Sequence, residues 1–277
     1  MGNWFFESHK GFKYGYKINK VLYDKKSKFQ RVRIAQTESH GRIMILDDIV
    51  MLTERFEFIY HEMMAHIPLF IHPGAENVLI IGGGDGGTLR EVLKHRSVEN
   101  VDMVEIDEKV LESSRIYLQS ISSQFHNKRA NIIVGDGIEF VKNKKEVYDI
   151  IMLDSSDPVG PAEGLFTAEF FCNCYRILKK DGIFIGQSES PFYLKEYFKN
   201  FYKRLKRIFP LTRPALTCIP DYPLSFWSFL YASKKYDPVK HFVKKRYRES
   251  RIKTQYYNED IHLATFSMPN FAKDLLK

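Results

Sequence analysis

Val78-Leu79-Ile80-Ile81-Gly82-Gly83-Gly84-Asp85-Gly86-Gly87 joins an apolar run to a run of glycines interrupted by one aspartate. A short continuous apolar run of this kind reads as a strand buried on both faces. The glycines after it allow a sharp turn and let backbone N–H groups approach a ligand seated over the N-terminus of the next helix. Gly82, Gly84 and Gly87 fit the G-x-G-x-x-G spacing, which alone suits a dinucleotide enzyme as well as any other binder of adenosine.

On either side of this stretch the pattern repeats. A helix is expected from Thr88 to His95, a strand from Asn100 to Glu105 and a helix from Glu108 to Leu118. Next come a strand over Ala130 to Val134, a short helix over Ile138 to Lys142 and a strand over Tyr148 to Leu153. A helix over Phe166 to Leu178 and a strand over Gly182 to Gln187 complete the run, and strands near Thr217 to Ile219 and Trp227 to Ala232 add an antiparallel edge. Apolar strands alternating with helices predict an α/β fold: a Rossmann-like, doubly wound, mostly parallel sheet. Upstream, Phe58, Ile59, Met63, Ile67 and Leu69 to Phe70 mark a helix. Before it, Tyr16 to Tyr23, Phe29 to Ala35 and Arg42 to Leu46 alternate as short strands. Two units follow: a small antiparallel β domain over residues 1–53 and a doubly wound, Rossmann-like domain over 54–277.

Two acids at strand ends narrow the ligand. Glu105 lies about 20 residues after the glycine loop, where a carboxylate grips ribose hydroxyls. Asp136, followed by Gly137, is placed to read an adenine edge with adjacent backbone amides. Glu105 and Asp136 in this order match the layout of enzymes that use S-adenosylmethionine more than that of dehydrogenases.

The most specific stretch is Asp154-Ser155-Ser156-Asp157-Pro158-Val159-Gly160-Pro161, which leaves the strand over Tyr148 to Leu153 and so overhangs the same crevice. Its prolines and glycines stiffen a loop that aims two carboxylates inward. Here the chain closely resembles the spermidine synthase family of polyamine aminopropyltransferases. The resemblance extends through Trp4, Ser27-x-Phe29-Gln30, Thr53-Glu54-Arg55, Tyr60-His61-Glu62, Ile219-Pro220-x-Tyr222-Pro223 and Tyr256-Tyr257-Asn258.

The resemblance implies transfer of an aminopropyl group from decarboxylated S-adenosylmethionine to putrescine, giving spermidine and 5′-methylthioadenosine. Agmatine, cadaverine or spermidine are alternative acceptors. It implies Asp154 as the catalytic carboxylate, with Tyr60 and Tyr222 hydrogen-bonding around the attacking nitrogen. Gln30, Gly82, Gly84, Asp85, Glu105, Asp136, Gly137 and Pro161 are implied on the donor side. Trp4, His61, Asp85, Asp154, Asp157, Gln187 and Tyr222 are implied on the acceptor side, with Glu189 a further candidate acid. Charge supports this reading of Asp85. A carboxylate beside the glycine loop would repel the methionine carboxylate of an ordinary methyl donor by about 4 kcal/mol at 4 Å and an effective dielectric near 20. The same carboxylate attracts the ammonium of the decarboxylated donor.

Four stretches depart from the family pattern, and the last of them borders the expected acceptor pocket. Phe56 replaces an acid, Asp48 stands at a turn position often held by Gly, Asp221 replaces Thr, and Leu224-Ser225-Phe226 replaces Ser-Gly-x. They bear on which amine is accepted more than on the reaction.

Bulk properties exclude other classes. The chain carries no signal-like apolar core at its start and no apolar run of about 18 residues, so a cytoplasmic protein without membrane association is expected. Its net charge of +8 raises nucleic-acid binding. The basic residues are scattered, however, and the denser run Lys240, Lys244, Lys245, Arg246, Arg248, Arg251 and Lys253 reads as a solvated face. A methyltransferase and a non-catalytic basic binding protein on the same fold are the remaining alternatives. Cys172, Cys174 and Cys218 fit neither a redox pair nor a zinc set and read as buried thiols in a reducing compartment. No metal and no cofactor are expected, the donor being a co-substrate. A homodimer is implied by the resemblance alone.

Overall fold

The computed structural model describes residues 3–142, 145–157 and 160–277, and leaves the Pro161 side chain undescribed. Pro158 and Val159 of the rigid loop, and the Pro161 ring implied in donor binding, lie outside the described parts.

Five strands open the chain: β1 (Trp4–His9), β2 (Phe12–Lys26), β3 (Arg31–Thr37), β4 (Arg42–Leu46) and β5 (Ile49–Thr53). They form one antiparallel meander in the order β1-β2-β3-β4-β5. Asp47 and Asp48, at the turn between β4 and β5, both have positive φ, 44° and 70°. This is the backbone that favours Gly at the Asp48 position, and aspartate tolerates it better than most residues do.

Helix α1 (Glu57–Ile71) leads into the second sheet. There β6 (Asn77–Gly82), β7 (Asn100–Glu105), β8 (Ala130–Val134), β9 (Tyr148–Asp154) and β10 (Leu178–Gln187) run parallel. Strands β11 (Leu211–Cys218) and β12 (Phe226–Ser233) add the expected antiparallel edge, giving the order β11-β12-β10-β9-β6-β7-β8. Alternate strand residues face opposite layers. Val78, Ile80, Met103 and Met152 pack toward α1 and α2 (Gly87–Val92). Leu79, Ile81, Ile151 and Leu153 pack toward α5 (Ala168–Ile177) and α6 (Lys195–Ile208). This is the expected doubly wound sheet.

Chain order reverses between β6 and β9. From β6 the sheet grows one way through β7 and β8, and from β9 the other way through β10, so the crevice opens at the carboxyl ends of these two neighbours. Gly82 and Asp154 pair there in register.

Several boundaries differ from expectation. The segment entering α5 is a 3₁₀ turn over Gly160–Phe166. The helix proper starts where the Thr167 side chain accepts the Phe170 N–H. Helix α1 is buried on nearly every side rather than along a stripe, because the C-terminal segment clips onto it. The Glu62 carboxylate accepts the N–H groups of Gln255, Tyr256 and Tyr257 at 2.7, 2.8 and 2.8 Å. From α7 (Lys244–Ser250), Arg246 donates to the carbonyls of Phe70, Ile71 and His72 at 2.9–3.3 Å, filling acceptors left open at the end of α1.

The buried-thiol expectation holds only for Cys174; Cys172 and Cys218 are exposed, and all three cysteines are free. Residues two apart on a helix point to different sides, so with Cys174 in the core Cys172 faces outward.

Candidate active site

A cavity of about 480 Å³ opens over the carboxyl ends of β6, β7 and β9 and is roofed by the N-terminal sheet at Gln30, Met44 and Met51. It brings together Gln30, Tyr60, His61, Gly82, Gly84, Asp85, Glu105, Asp136, Gly137, Asp154, Asp157 and Tyr222.

The glycines leave room for this approach. Gly82 has φ +85°, and a Cβ there would lie 2.1 Å from the Asp154 carbonyl oxygen. Gly83 N–H donates to that same carbonyl at 2.8 Å, fixing β6 to β9 at the switch point. A Cβ on Gly84 would lie 2.8 Å from Glu105 Oε2, and one on Gly137 would lie 2.5 Å from Ile81.

The Asp154 side chain is bound on both oxygens. Tyr60 hydroxyl donates to Oδ1 at 2.8 Å and Thr88 hydroxyl to Oδ2 at 2.6 Å. Burial, then the charge of Asp85, raises its pKa above the ordinary carboxylate range, against the pull of His61 and the two hydroxyls. Asp85 goes the other way. Burial alone would raise it, but the charge and hydrogen bond of His61, with the Gly87 N–H at 2.7 Å, hold it below the ordinary value. His61 is correspondingly a strong base: against burial, Asp85 and Glu57 raise it to about 10. Its Nε2 lies 3.1 Å from Asp85 and its Nδ1 2.5 Å from Glu57.

Ligand-capable atoms of His61, Asp85 and Asp154 lie within 4.8 Å of one another. The sequence hides this grouping, because the three stand on different elements. Both His61 nitrogens face carboxylates, so the arrangement is a chain of ion pairs, and a metal would need a nitrogen lone pair that this pairing occupies.

At the end of β7, burial raises Glu105 to about 7, opposed by the Asp107 N–H, which it accepts at 2.8 Å. Gln30 reaches across from the N-terminal sheet to donate to Asp107 at 3.1 Å, and Ser27 does so at 2.7 Å. Asp136 accepts the Ile138 N–H at 2.7 Å and is exposed at the rim.

Beside Asp154, the Tyr222 ring lies against Tyr60 with centroids 5.9 Å apart. Its hydroxyl donates to the Met51 carbonyl at 2.9 Å rather than to a carboxylate. Gln187 sits behind the cavity wall, bonded to Glu189 at 3.2 Å. Glu189 is raised well above the ordinary range by burial and then by Asp157, and burial raises Asp157 as well. Glu189 Oε2 is buried without a hydrogen-bond partner among the described residues.

Trp4 is not brought to the cavity. It is 52% exposed on the outer face of β1, stacked on Phe6. Glu7, on the opposite face of the same strand, is 1% exposed, and burial raises it to about 7 despite the Val50 N–H. Strand alternation sets Glu7 on the face opposite Trp4 and Phe6, but hydropathy alone would turn the two aromatic rings inward and the acid outward, so the sequence passes over Glu7. Sequence reading also passes over Thr88, Glu57 and Arg90.

A doubly wound sheet with a glycine loop, a carboxylate at the end of the next strand and two buried carboxylates beside it forms an enzyme-like crevice. The chain belongs to the spermine/spermidine synthase family: residues 57–244 match the spermine/spermidine synthase domain and residues 3–54 the spermidine synthase tetramerisation domain. It is 46% identical over 278 residues to polyamine aminopropyltransferase 1 of Bacillus cereus, covering all of both chains. It is 42% identical over 281 residues to the polyamine aminopropyltransferase of Clostridium botulinum, covering all of this chain and 98% of that one. A spermidine synthase solved with the transition-state analogue AdoDATO superposes with a TM-score of 0.98 at 44% identity, covering 99% of this chain and 94% of that one. The Thermotoga maritima spermidine synthase superposes with a TM-score of 0.96, with the same identity and coverage.

Proposed function

We propose that the protein transfers the aminopropyl group of decarboxylated S-adenosylmethionine to putrescine, giving spermidine and 5′-methylthioadenosine. The observation that carries this reading is the pair Asp85 and Asp154 at one switch point. One carboxylate faces the end of the glycine loop, and the other is held by Tyr60 and Thr88. Two cationic substrates can meet there.

In this reading Glu105 binds the ribose, Asp136 and the Gly137 amide read the adenine, and Gln30 supports the ribose side through Asp107. Gly82, Gly84 and the Pro161 turn shape the donor pocket. The acceptor lies along His61, Asp154, Asp157 and Tyr222, with Gln187 and the Asp157–Glu189 pair at its far end; Trp4 takes no part. The amine nitrogen attacks the carbon attached to the sulfonium. A C–N bond forms, the C–S bond breaks, and its electron pair neutralises sulfur as a thioether. The displaced proton passes toward Asp154, whose raised pKa makes it a better acceptor than an ordinary carboxylate. With an alkylammonium pKa near 10.4 the amine must lose one proton to free the lone pair that attacks, and Asp154 hands that proton on to water as the net proton released. The residues present need no resident cofactor for this chemistry.

The division into units 1–53 and 54–277 places the cleft between them, with Gln30 on one side and Asp154 on the other. The match of residues 3–54 to a tetramerisation domain supports assembly with further copies of this chain, at least as a homodimer. Among the described residues no helix is long and apolar enough to cross a membrane. The basic run is largely paired, Arg248 with Glu259 and Arg246 with the end of α1, which gives nucleic acid little free charge there.

Mass spectrometry of products from decarboxylated S-adenosylmethionine and a mixture of putrescine, cadaverine, agmatine and spermidine tests the reading. Spermidine with methylthioadenosine is expected. A dominant product from another amine would reassign the acceptor, and no product from a protein that binds the donor would overturn the enzyme reading.

A further inference from the structure

The Asp85 carboxylate is held unevenly. Oδ1 accepts the Gly87 N–H and faces His61 Nε2, while Oδ2 takes no side-chain hydrogen bond among the described residues. His61 is itself held from behind. Its Nδ1 lies 2.5 Å from Glu57 Oε2, one turn earlier on α1. Arg90 of α2 grips both Glu57 oxygens at 2.9 Å each and also reaches Glu91 at 2.9 Å. The imidazole packs directly on the Gly87 backbone, where a Cβ would lie 2.2 Å from its Cε1 and Nδ1. Glu57 and His61 are almost wholly out of solvent, with side chains 8% and 3% exposed. A buried row of alternating charge is costly compared with apolar packing, so its presence behind a site points to a positioning role.

We propose that Glu57, locked by Arg90, is a positioning residue for the donor's terminal ammonium: through His61 it pins Asp85 Oδ1 and leaves Oδ2 turned to the ligand. The inference rests on the aminopropyl-donor reading and extends it by two residues that touch no substrate. The raised pKa of His61 agrees, since an imidazolium donates from both nitrogens at once. Glu57→Gln keeps the volume but replaces an acceptor oxygen with an amide NH₂, so either Arg90 or His61 loses its partner.

Calorimetry with decarboxylated S-adenosylmethionine and with 5′-methylthioadenosine, which carries the same adenosine without the ammonium, tests the proposal. Glu57→Gln is expected to weaken the first about tenfold and the second less than about twofold, the loss of one charge-assisted bond. Arg90→Lys, which gives up the two-pronged grip, is expected to act in the same direction and less strongly. His61→Gln supplies a neutral donor to Asp85 with no link to Glu57; adding Glu57→Gln in that background is expected to change nothing further. Equal weakening of both ligands, no weakening of either, or full additivity in the His61→Gln background would overturn the proposal. If Glu57→Gln does not fold, the Arg90→Lys comparison decides alone. A wild-type protein that binds neither ligand would overturn the functional reading itself.

Discussion

At the proposed donor end of the crevice the walls are largely backbone. Gly82, Gly84 and Gly137 stand where any side chain would strike the Asp154 carbonyl, Glu105 or Ile81. At the proposed acceptor end the walls are side chains: Tyr222 on the Met51 carbonyl and Asp157, with Gln187 bonded to Glu189 behind them and Glu189 raised by burial and by Asp157. The difference has a physical basis. A backbone wall cannot be retuned by one substitution without moving a strand, whereas a side-chain wall changes with each residue exchanged. The scaffold therefore commits to one kind of donor and leaves acceptor choice open. Two of the departures from the family pattern, Asp221 and Leu224 to Phe226, flank Tyr222, which lines the cavity. Leu224 and Ser225 hold left-handed backbone, φ 59° and 57°, where Gly is the usual occupant.

The sharpest way to separate the two ends is Asp154→Asn. Turnover is expected to fall about 10³-fold, within the range for a lost proton acceptor, while methylthioadenosine affinity stays within about threefold. Single-turnover kinetics beside calorimetry checks both; a comparable loss of ligand affinity would mean that the ends are not independent. Gly84→Ala attacks the other end. A methyl 2.8 Å from Glu105 Oε2 displaces that carboxylate, and donor affinity is expected to fall about 10- to 100-fold, the usual effect of overpacking by 1–3 kcal/mol. The acceptor KM, measured at saturating donor, should hold.

The third effect is smaller and depends on pH. Glu105 titrates at about 7 in the unliganded protein, and ribose hydroxyls bond best to its ionised form. Binding should therefore release a proton below pH 7. Methylthioadenosine affinity is expected to rise at most about tenfold per pH unit as pH climbs toward 7 and to level off above it. Glu105→Gln should flatten the profile. A profile that keeps its slope in that variant would place the titrating group elsewhere, Glu7 being the first candidate because it is also raised to about 7.

The same contrast explains what could be read from sequence. The donor end is legible because its parts are contiguous: a buried strand, a glycine loop and an acid at the next strand's end each leave a local mark. The acceptor end is assembled from afar. Glu7, Asp157 and Glu189 come from three separate stretches, and nothing local tells Trp4, which faces out, from Glu7, which faces in. Glu57 lies four residues before His61 and was recoverable from helical spacing; Arg90, 33 residues further on, was not. Helix α6 is a plain omission, since Phe198, Phe201 and Leu205 recur at helical spacing and are buried. The last helices, α8 (Glu259–Ala264) and α9 (Asn270–Leu275), are too short to leave a periodic signal.

The clip between Glu62 and the backbone of Gln255, Tyr256 and Tyr257 has a practical side. Glu62 is the next residue but one after Tyr60, on the helix that carries both Tyr60 and His61. A protease cut ahead of Gln255, or a shortened gene that ends there, would release a strut under the helix that carries Tyr60 and His61, although the break lies more than 30 residues along the chain from every residue that lines the cavity. An inactivating lesion in that tail would be a fault of carpentry, and no inspection of the substrate pocket alone would reveal it.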